Sequence, residues 1–343
     1  PAFEGQWSND EAKAVLKTQV VVGGYASDGT LLAATRLQHA NVLDQLYTRG
    51  ENDADEAMLG GVYSDEGITA AVWAPTATEV NLLVFNDDKT LANRYPMAFD
   101  DTSGVWSYAG DTSLDGKLYR YEVTVYYPSL EEITTLEVTD PYSVSLSTNG
   151  RFSRFVNLSD ESLKPDGWDT QWIPEIANPE DAVIYEGHVR DFSIRDMSTS
   201  EANRGKYLAF TETGSDPVNH LQTLADAGLT HFHILPSNDI ATIDEDPANT
   251  VDIYDTVGQL CVKKPDAQVC NEEDAASILL DVYNSYDPLS QAGSAQALTQ
   301  DLRSVDSFNW GYDPHHFNAP EGSYASSAEG GERIIEMRAM VQA

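Results

Sequence analysis

The chain has 343 residues, enough for two or three domains, and its 41% hydrophobic content is sufficient for packed cores. Its formal net charge of −36 excludes nucleic acid and anionic lipid surfaces as partners, because lysine and arginine supply the attraction to both. A neutral substrate needs no countercharge and is compatible with this acidity. Because no run of about 18 apolar residues occurs, we expect no transmembrane helix. The chain begins with Pro1 and lacks a signal region, so we interpret it as a processed or excised segment.

Residues 1–58 mix short helices with strand-like pieces. Apolar residues at helical spacing predict helices at Asp10–Lys17 and Ala40–Tyr47. Runs of apolar residues predict strands at Gln19–Val22 and Leu31–Leu37. The segment is too short for a comfortable core of its own. We interpret it as the tail of a domain that began earlier, or as a linker packed on its neighbour.

Residues 59–157 have the pattern of an all-β domain. Leu118–Tyr127 alternates, with Tyr119 and Tyr121 on the face opposite to their charged neighbours. Short strands at regular spacing with turn residues between them predict a β-sandwich, with Trp73 in its core. The other predicted strands are Ile68–Pro75, Val80–Phe85, Val105–Tyr108 and Ile133–Thr139.

The pattern changes to α/β after a connector at residues 158–180 that is rich in helix and strand breakers. Ala182–Glu186 is predicted as a buried strand and Leu229–Leu235 as a second strand. Between them, Asn219–Ala227 is predicted as a helix that ends at a glycine. A parallel strand pair needs a crossover, so these elements predict a right-handed βαβ unit.

A long excursion, residues 237–307, follows the second strand, and insertions at this position are usually functional or form a wall of a site. It contains Cys261 and Cys270, which enclose a short polar loop. Either they form a disulfide in an oxidising compartment, which we favour, or they are free thiols. Without a histidine between them they make a poor zinc site. Helices are predicted near Ala275–Tyr283, Ala295–Leu302 and Ala325–Ala343, the last with Ile334, Met337 and Val341 on one stripe.

The stretch Phe308–Pro314 combines aromatic residues with a glycine and a carboxylate, just before a proline-containing loop at His315–Pro320. Flat aromatic faces beside fixed polar groups suit sugar rings, which stack on aromatics while their hydroxyls need hydrogen-bond partners. The alternative is a buried turn with Trp310 and Tyr312 in a core.

Eight short motifs together resemble bacterial pullulanases of glycoside hydrolase family 13, the α-amylase superfamily. Each motif is a moderate signal, and their order along essentially the whole chain makes the resemblance strong. The motifs are Val72–Ala77, Val138–Tyr142, Leu146–Asn149, Lys164–Asp169, Tyr185–Ser193, Arg204–Leu208, Asn309–Pro314 and Pro320–Tyr324.

This resemblance implies a multidomain β plus α/β fold. Residues 1–58 are expected to end an N-terminal domain, and 59–157 to form an immunoglobulin-like sandwich resembling carbohydrate-binding module family 48. Residues 158–180 are expected to be a linker. Residues 181–343 are expected to be the opening of a (β/α)8 barrel, truncated, with an insertion at about 237–307. A half-barrel is expected to expose a strand edge and apolar helix faces.

The implied reaction is retaining hydrolysis of α-1,6-glucosidic branch linkages in pullulan and starch-type α-glucans. Retention requires two carboxyl groups about 5–5.5 Å apart. The motifs that carry these carboxyl groups in the superfamily have no match in the chain. A full barrel takes about 250 residues, more than the stretch 181–343 contains. We therefore assign no catalytic residue and expect the nucleophile and the acid/base beyond Ala343.

The resemblance also implies sugar-contacting residues. Tyr312 matches the family tyrosine that stacks on the glucose ring beside the scissile bond, and Trp310 and Asp313 are expected to shape the loop or to hold Tyr312. Further candidates lie at strand ends, where barrel sites form. These are His188, Arg190, Asp191, Asn238 and Asp239, with an Arg190–Asp191 ion pair as the structural alternative.

No cofactor is required for this chemistry. Calcium is common in the superfamily, but no stretch has a calcium-loop pattern, so structural calcium is an expectation without ligands. His231 and His233 lie on the same side of a predicted strand. They could bind a metal ion, but no third ligand is in view, so we favour a packing role in the barrel.

The implied partner is an α-glucan such as pullulan, starch, glycogen or their limit dextrins. The alternatives are a non-catalytic α-glucan-binding fragment and another superfamily activity, such as glycogen branching or isoamylase. The expected location is extracellular or at the cell surface, although no signal is present in the chain.

Overall fold

Residues 7–343 are described by the computed structural model, and they divide into two units. The first unit runs to Val144 and resumes at Phe152–Asn157, whereas the second comprises Ser145–Arg151 and Leu158–Ala343. The chain therefore leaves the first unit at Ser145–Arg151 and returns to it. No helix among the described residues has the length and apolar character needed to cross a membrane.

Short helices and one hairpin open the first unit. Ser8 and Glu11 form a capping box, in which each side chain accepts a hydrogen bond from the other residue's backbone N–H. This reciprocal pair starts the first helix. The elements are α1 (Asn9–Leu16), β1 (Val21–Tyr25), β2 (Leu31–Arg36) and α2 (Ala40–Tyr47).

These helices pack on Trp73. Leu16, Leu43 and Tyr47 form a cluster against which the half-buried indole of Trp73 packs, and Trp73 Nε1 donates to the Ser103 carbonyl oxygen at 2.9 Å. The prediction that Trp73 lies in the sandwich core is therefore wrong. Successive side chains of a strand point to opposite faces, so Trp73 points away from the core that its neighbours enter.

A β-sandwich makes up the rest of the first unit, as predicted. Its strands are β3 (Gly60–Ser64), β4 (Gly67–Trp73), β5 (Glu79–Phe85), β6 (Leu91–Pro96), β7 (Ala98–Phe99), β8 (Val105–Gly110), β9 (Leu118–Tyr127), β10 (Glu132–Val138) and β11 (Ser153–Arg154). They form two antiparallel sheets with the orders β3-β4-β8-β7 and β10-β9-β5-β6, with β11 paired to β9. Residues of both sheets, among them Ile68, Leu82, Trp106 and Tyr121, form one buried core.

The second unit contains the predicted parallel pair, in which β12 (Ile184–Gly187) pairs with β13 (His231–Ile234) across the crossover helix α3 (Asp216–Asp226). The prediction of a buried strand is wrong for β12, because Ile184 is 61% exposed. This sheet has two strands, and the described residues add no further strand to it and close no barrel. The exposure of Ile184 follows from this, since a parallel strand is normally covered on both faces.

A second pair of strands was not predicted. β14 (Asn238–Ile240) pairs antiparallel with β15 (Pro314–Pro320), with Asp239 opposite His316. The prediction of a loop at His315–Pro320 is therefore wrong. Prolines lie only at the two ends of β15, so the residues between them keep the backbone N–H groups that a strand needs.

The excursion has its own buried cluster, which includes Val257, Leu260, Leu279 and Leu298. Cys261 and Cys270 form a disulfide bond. The intervening stretch was predicted as a polar loop, but the cysteines belong to two short helices that the disulfide joins. The helices are α4 (Val257–Lys263), α5 (Val269–Glu272), α6 (Leu279–Ser285) and α7 (Ala292–Leu302).

The last helix is α8 (Glu332–Gln342), shorter than predicted. Ile334 is buried and Met337 half-buried, but Val341 is exposed and Met340 is buried in its place. The predicted apolar stripe is therefore wrong at its last position. The same helix buries Arg333 completely, and this arginine organises the polar centre of the unit.

Candidate functional site

The aromatic loop, residues 308–313, presents three aromatic side chains to solvent. Phe308, Trp310 and Tyr312 are 46%, 60% and 68% exposed, while the two residues between them are buried. The rings of Phe308 and Trp310 lie edge to face, with centroids 5.5 Å apart. The alternative of a buried turn is therefore contradicted, and the loop offers apolar ring faces to a ligand.

Buried polar groups hold the backbone of this loop. Asn309 Oδ1 accepts hydrogen bonds from Gly311 N at 3.1 Å and from the Tyr324 hydroxyl at 2.5 Å. It also lies 3.1 Å from His188 Nε2. Gly311 has φ +75°, and a β-carbon there would lie 2.1 Å from the Pro236 carbonyl oxygen, so only glycine fits. The exposed rings thus stand on a fixed backbone.

The other predicted sugar contacts are distributed around this loop. His188 is buried behind it, and its Nδ1 accepts a hydrogen bond from the Asp191 backbone at 3.3 Å. Asp313 has an exposed side chain, while its carbonyl oxygen accepts from Ala241 N at 2.9 Å. Asp239 is buried and does not reach the surface of the loop. Only Asp313 joins the exposed aromatics.

Asp239 belongs to a buried ionic network centred on Arg333. The guanidinium lies 3.3 Å from Asp239 Oδ1 and 3.0 Å from Glu245 Oε2, and all three side chains are at most 2% exposed. Arg333 also donates to the carbonyl oxygens of Pro320, at 2.9 Å, and Ala328. Because a buried charge needs a partner, this network ties β14, the end of β15 and α8 together.

Glu321 is a third carboxyl group in the same region. Its oxygens accept hydrogen bonds from Ile240 N at 2.7 Å and Ser323 N at 2.9 Å. Burial, followed by the charge of Glu245, raises the pKa of Glu321 to about 7. Near neutral pH this group therefore changes its protonation state inside the protein.

The carboxylates of Asp239, Glu245 and Glu321 lie close enough together to suggest a calcium site. The chemistry of the donor set does not fit one, because the Arg333 guanidinium is already bound to two of them. Calcium takes six to eight oxygen ligands, which a cationic side chain cannot supply. This cluster is therefore explained by Arg333 without a metal ion.

We expect the second unit to lose stability as the pH rises from about 5 to 8. Folding raises the pKa of Glu321 to about 7. The contribution of this carboxyl group to the free energy of unfolding is therefore complete at low pH and is lost as the pH rises through that value. The free energy of unfolding, measured by urea denaturation, should fall less with pH in Glu321→Gln. This variant also loses one hydrogen bond, which lowers its stability at every pH. The test is therefore the change in the free energy of unfolding with pH, not its absolute value. Glu201→Gln, at an exposed position of the same unit, is the control. Equal slopes in all three proteins would contradict the assignment.

Arg190 and the histidine pair on β13, His231 and His233, are further candidates predicted from the sequence. Arg190 forms the anticipated ion pair with Asp191, at 3.3 Å, and also binds Asp252. His231 and His233 are exposed, and His233 Nδ1 lies 3.6 Å from Glu186 Oε2. In the described part of the chain these two histidines belong to no group of three potential metal ligands.

Arg333, Glu321 and the histidines of β15 were not predicted as site residues. Glu321 lies in the Pro320–Tyr324 motif, which was noted without a role for its glutamate. Arg333 lies 94 positions from Asp239, and no motif in its neighbouring sequence indicates that the two residues pair. The only available signal was charge, since an arginine within an apolar helical stripe needs a buried partner.

Three family models match the chain. Residues 1–45 match the Pullulanase N2 domain, residues 58–143 match Carbohydrate-binding module 48 (Isoamylase N-terminal domain), and residues 240–308 match the Pullulanase Ins domain. Pullulanase of Klebsiella pneumoniae is 41% identical over 98% of this chain and 31% of that protein. Chloroplastic pullulanase 1 of Arabidopsis thaliana is 36% identical over 97% of this chain and 31% of that protein.

Solved structures agree with these relatives. PulA from Klebsiella oxytoca has 39% identity and a TM-score of 0.88, over 96% of this chain and 32% of that chain. A maltotriose complex of PulA from Klebsiella pneumoniae has 38% identity and a TM-score of 0.88, over 96% of this chain and 36% of that chain. The chain spans about a third of the length of the curated relatives that it matches. By its domains and by its similarity over nearly its whole length, the chain belongs to the pullulanase family.

Proposed function

We propose that this chain is the part of an α-glucan-debranching glycoside hydrolase that carries the aromatic loop, and that this loop contacts the sugar. The reaction is retaining hydrolysis of α-1,6-glucosidic linkages in pullulan and related α-glucans. The observation that carries the proposal is the exposure of Trp310 and Tyr312 on a backbone fixed from behind by Asn309. Because the backbone beneath these rings is already fixed, less conformational entropy is lost when a sugar stacks on them.

The surroundings of the loop support a neutral ligand. A chain with a net charge of −36 repels anions, whereas a glucan carries no charge. The crystal structures of the Klebsiella pneumoniae relative include complexes with maltotriose, a short α-glucan. Tyr312 is the residue that we assign to stacking, with Trp310 and Asp313 completing the loop surface.

We assign no catalytic carboxylate and infer that the chain by itself does not hydrolyse pullulan. Asp239, Glu245 and Glu321 are buried, and the first two are bound to Arg333, so they are not available to a substrate. The test is the release of reducing sugar from pullulan by this chain and by a version extended past Ala343. Release by the extended protein alone is the expected result. Release by the short chain would place the catalytic carboxylates within residues 181–343 and overturn the inference.

A non-catalytic α-glucan-binding fragment is the second candidate, and the sandwich of the first unit favours it, because this unit matches a carbohydrate-binding module. The two candidates differ in where binding resides. If the aromatic loop is the main contact, its substitution abolishes most binding. If the sandwich is the main contact, binding survives the loss of the loop.

Substituting the aromatic loop separates these possibilities. We expect Trp310→Ala and Tyr312→Ala each to weaken pullulan binding about tenfold, since truncating a central aromatic contact typically removes more than about 1 kcal/mol. Affinity electrophoresis in pullulan-containing gels measures the effect. Phe317→Ala is the matched control, because Phe317 is 74% exposed on β15 but lies outside the loop. Unchanged mobility of both loop variants would contradict the assignment of the loop.

We also propose an extracellular or cell-surface location. The Cys261–Cys270 disulfide supports this, because disulfides persist mainly in oxidising compartments. The proposed partner there is pullulan, starch, glycogen or a limit dextrin.

A further inference from the structure

Asp239, His315 and His316 bring three potential metal-ligand atoms together where β14 pairs with β15. Asp239 and His316 are opposite each other in the strand register, and His316 Nδ1 lies 2.8 Å from Asp239 Oδ2. His315 Nδ1 lies 3.4 Å from the same oxygen. All three donor atoms lie within 4.8 Å of one another.

These separations suit a single small metal ion. Ligand bonds of about 2.0–2.1 Å place neighbouring donors roughly 3.3 Å apart in a tetrahedral site and about 2.9 Å apart in an octahedral one. The two measured separations, 3.4 and 2.8 Å, lie close to these values. The shorter one is also a hydrogen bond, so the proton shared by His316 and Asp239 must leave when a metal ion enters.

A glycine leaves room beside two of the donors. Gly150 has φ +58°, and a β-carbon on it would lie 2.9 Å from His315 Nδ1 and 3.0 Å from Asp239 Oδ2. The side chain that would cover this side of both atoms is therefore missing from the sequence. His315 is 44% exposed, which gives an ion a route in from solvent and leaves space for water ligands.

The charge around the site favours a cation. Arg333 binds Asp239 through Oδ1, so Oδ2 is the oxygen turned towards the histidines. Arg333 brings one positive charge to a region that holds Asp239, Glu245 and Glu321. Negative charge is in excess, and a divalent ion bound at Oδ2 would offset it.

We propose that Asp239, His315 and His316 bind a divalent transition-metal ion of the zinc, cobalt or nickel class. The ligands are two imidazole nitrogens and one carboxylate oxygen. Zinc, cobalt and nickel ions bind such a set more readily than calcium or magnesium ions do, because the latter two prefer oxygen ligands. Water completes the coordination. Because His315 lies two residues after the aromatic loop, the ion fastens the end of that loop to β14.

The test is titration of the metal-free chain, residues 1–343, with Zn²⁺ by calorimetry and with Co²⁺ by visible absorption. We expect one equivalent of tightly bound ion, with Co²⁺ ligand-field bands typical of mixed nitrogen and oxygen ligands. His315→Ala should weaken binding at least about 100-fold, because loss of a direct ligand exceeds the 10–100-fold effect of a supporting residue. Circular dichroism checks that this variant folds, and His315→Phe is the second variant, since it refills the space of the ring.

The control is the double variant His231→Ala and His233→Ala, which removes the exposed histidine pair of β13. It should bind Zn²⁺ and Co²⁺ as the unmodified chain does. Absence of stoichiometric binding in the unmodified chain would overturn the proposal. So would equal binding by His315→Ala, by His315→Phe and by the unmodified chain, or loss of binding in the control alone.

Discussion

Replacing Arg333 with methionine is expected to lower the free energy of unfolding of the second unit by about 3–5 kcal/mol, a large fraction of the roughly 5–15 kcal/mol that stabilises a typical domain. Methionine keeps much of the volume but removes the positive charge. Asp239 and Glu245 would then remain buried without their cation. The measurement is urea denaturation followed by near-ultraviolet circular dichroism, in which the transition of the first unit should not move.

A control on the same helix makes this result specific. Arg338 donates to the carbonyl oxygens of Leu163 and Leu158 and lies over the Trp168 ring, and it forms no ion pair with a carboxylate of residues 7–343. Arg338→Met should therefore have a much smaller effect. Combining Arg333→Met with Asp239→Asn and Glu245→Gln should restore part of the loss. If Arg333→Met and Arg338→Met were equally mild, the network would not stabilise the unit.

Replacing Asp140 with alanine is expected to destabilise the first unit by about 2–4 kcal/mol, because two buried hydroxyl groups lose their acceptor. Asp140 Oδ2 accepts from the hydroxyls of Tyr119, at 2.7 Å, and Tyr121, at 3.2 Å. Its Oδ1 accepts from Tyr142 N at 2.8 Å. Burial, followed by the Asp140 carboxylate, raises the pKa of both tyrosines, so they remain hydroxyl donors.

The first unit also supplies a matched control. Asp115 accepts a hydrogen bond from the Tyr63 hydroxyl at 2.7 Å, but Asp115 is exposed and water can replace it. Asp115→Ala should change the free energy of unfolding by less than about 1 kcal/mol. Thermal melts of the two variants give the comparison. A shift as small for Asp140→Ala as for Asp115→Ala would show that the buried tyrosines find other acceptors.

The sandwich was predictable because its signals are local. The alternation in β9 alone places Tyr119 and Tyr121 on the buried face, and both are at most 2% exposed. The prediction for Trp73 was wrong because alternation indicates that a strand face is buried but does not indicate which residues cover it. Its face is covered by helices of residues 1–58, a segment that was expected to pack on a neighbour but whose partner residues could not be predicted.

The candidate site was predictable only at its surface. Aromatic residues beside a glycine suggested a sugar-contacting loop, and Trp310 and Tyr312 are exposed there. The polar centre behind it joins residues 239, 245, 321 and 333, whose spacing follows neither a helix nor a strand. Such a cluster exists only after the chain has folded, so no periodicity in the sequence reveals it.

The segment Ser145–Arg151 has a consequence for the order in which the chain folds. Ser145 Oγ donates to the Gly330 carbonyl oxygen at 3.1 Å, and Asn149 Oδ1 accepts from Glu245 N at 2.7 Å. On the ribosome, the first unit can close once β11 has emerged, but these partners are made much later. Until then, we expect the segment to remain an open loop between β10 and β11. The same loop should be exposed when the sandwich is expressed alone, and its exposed polar backbone should then be a preferred site of proteolytic cleavage.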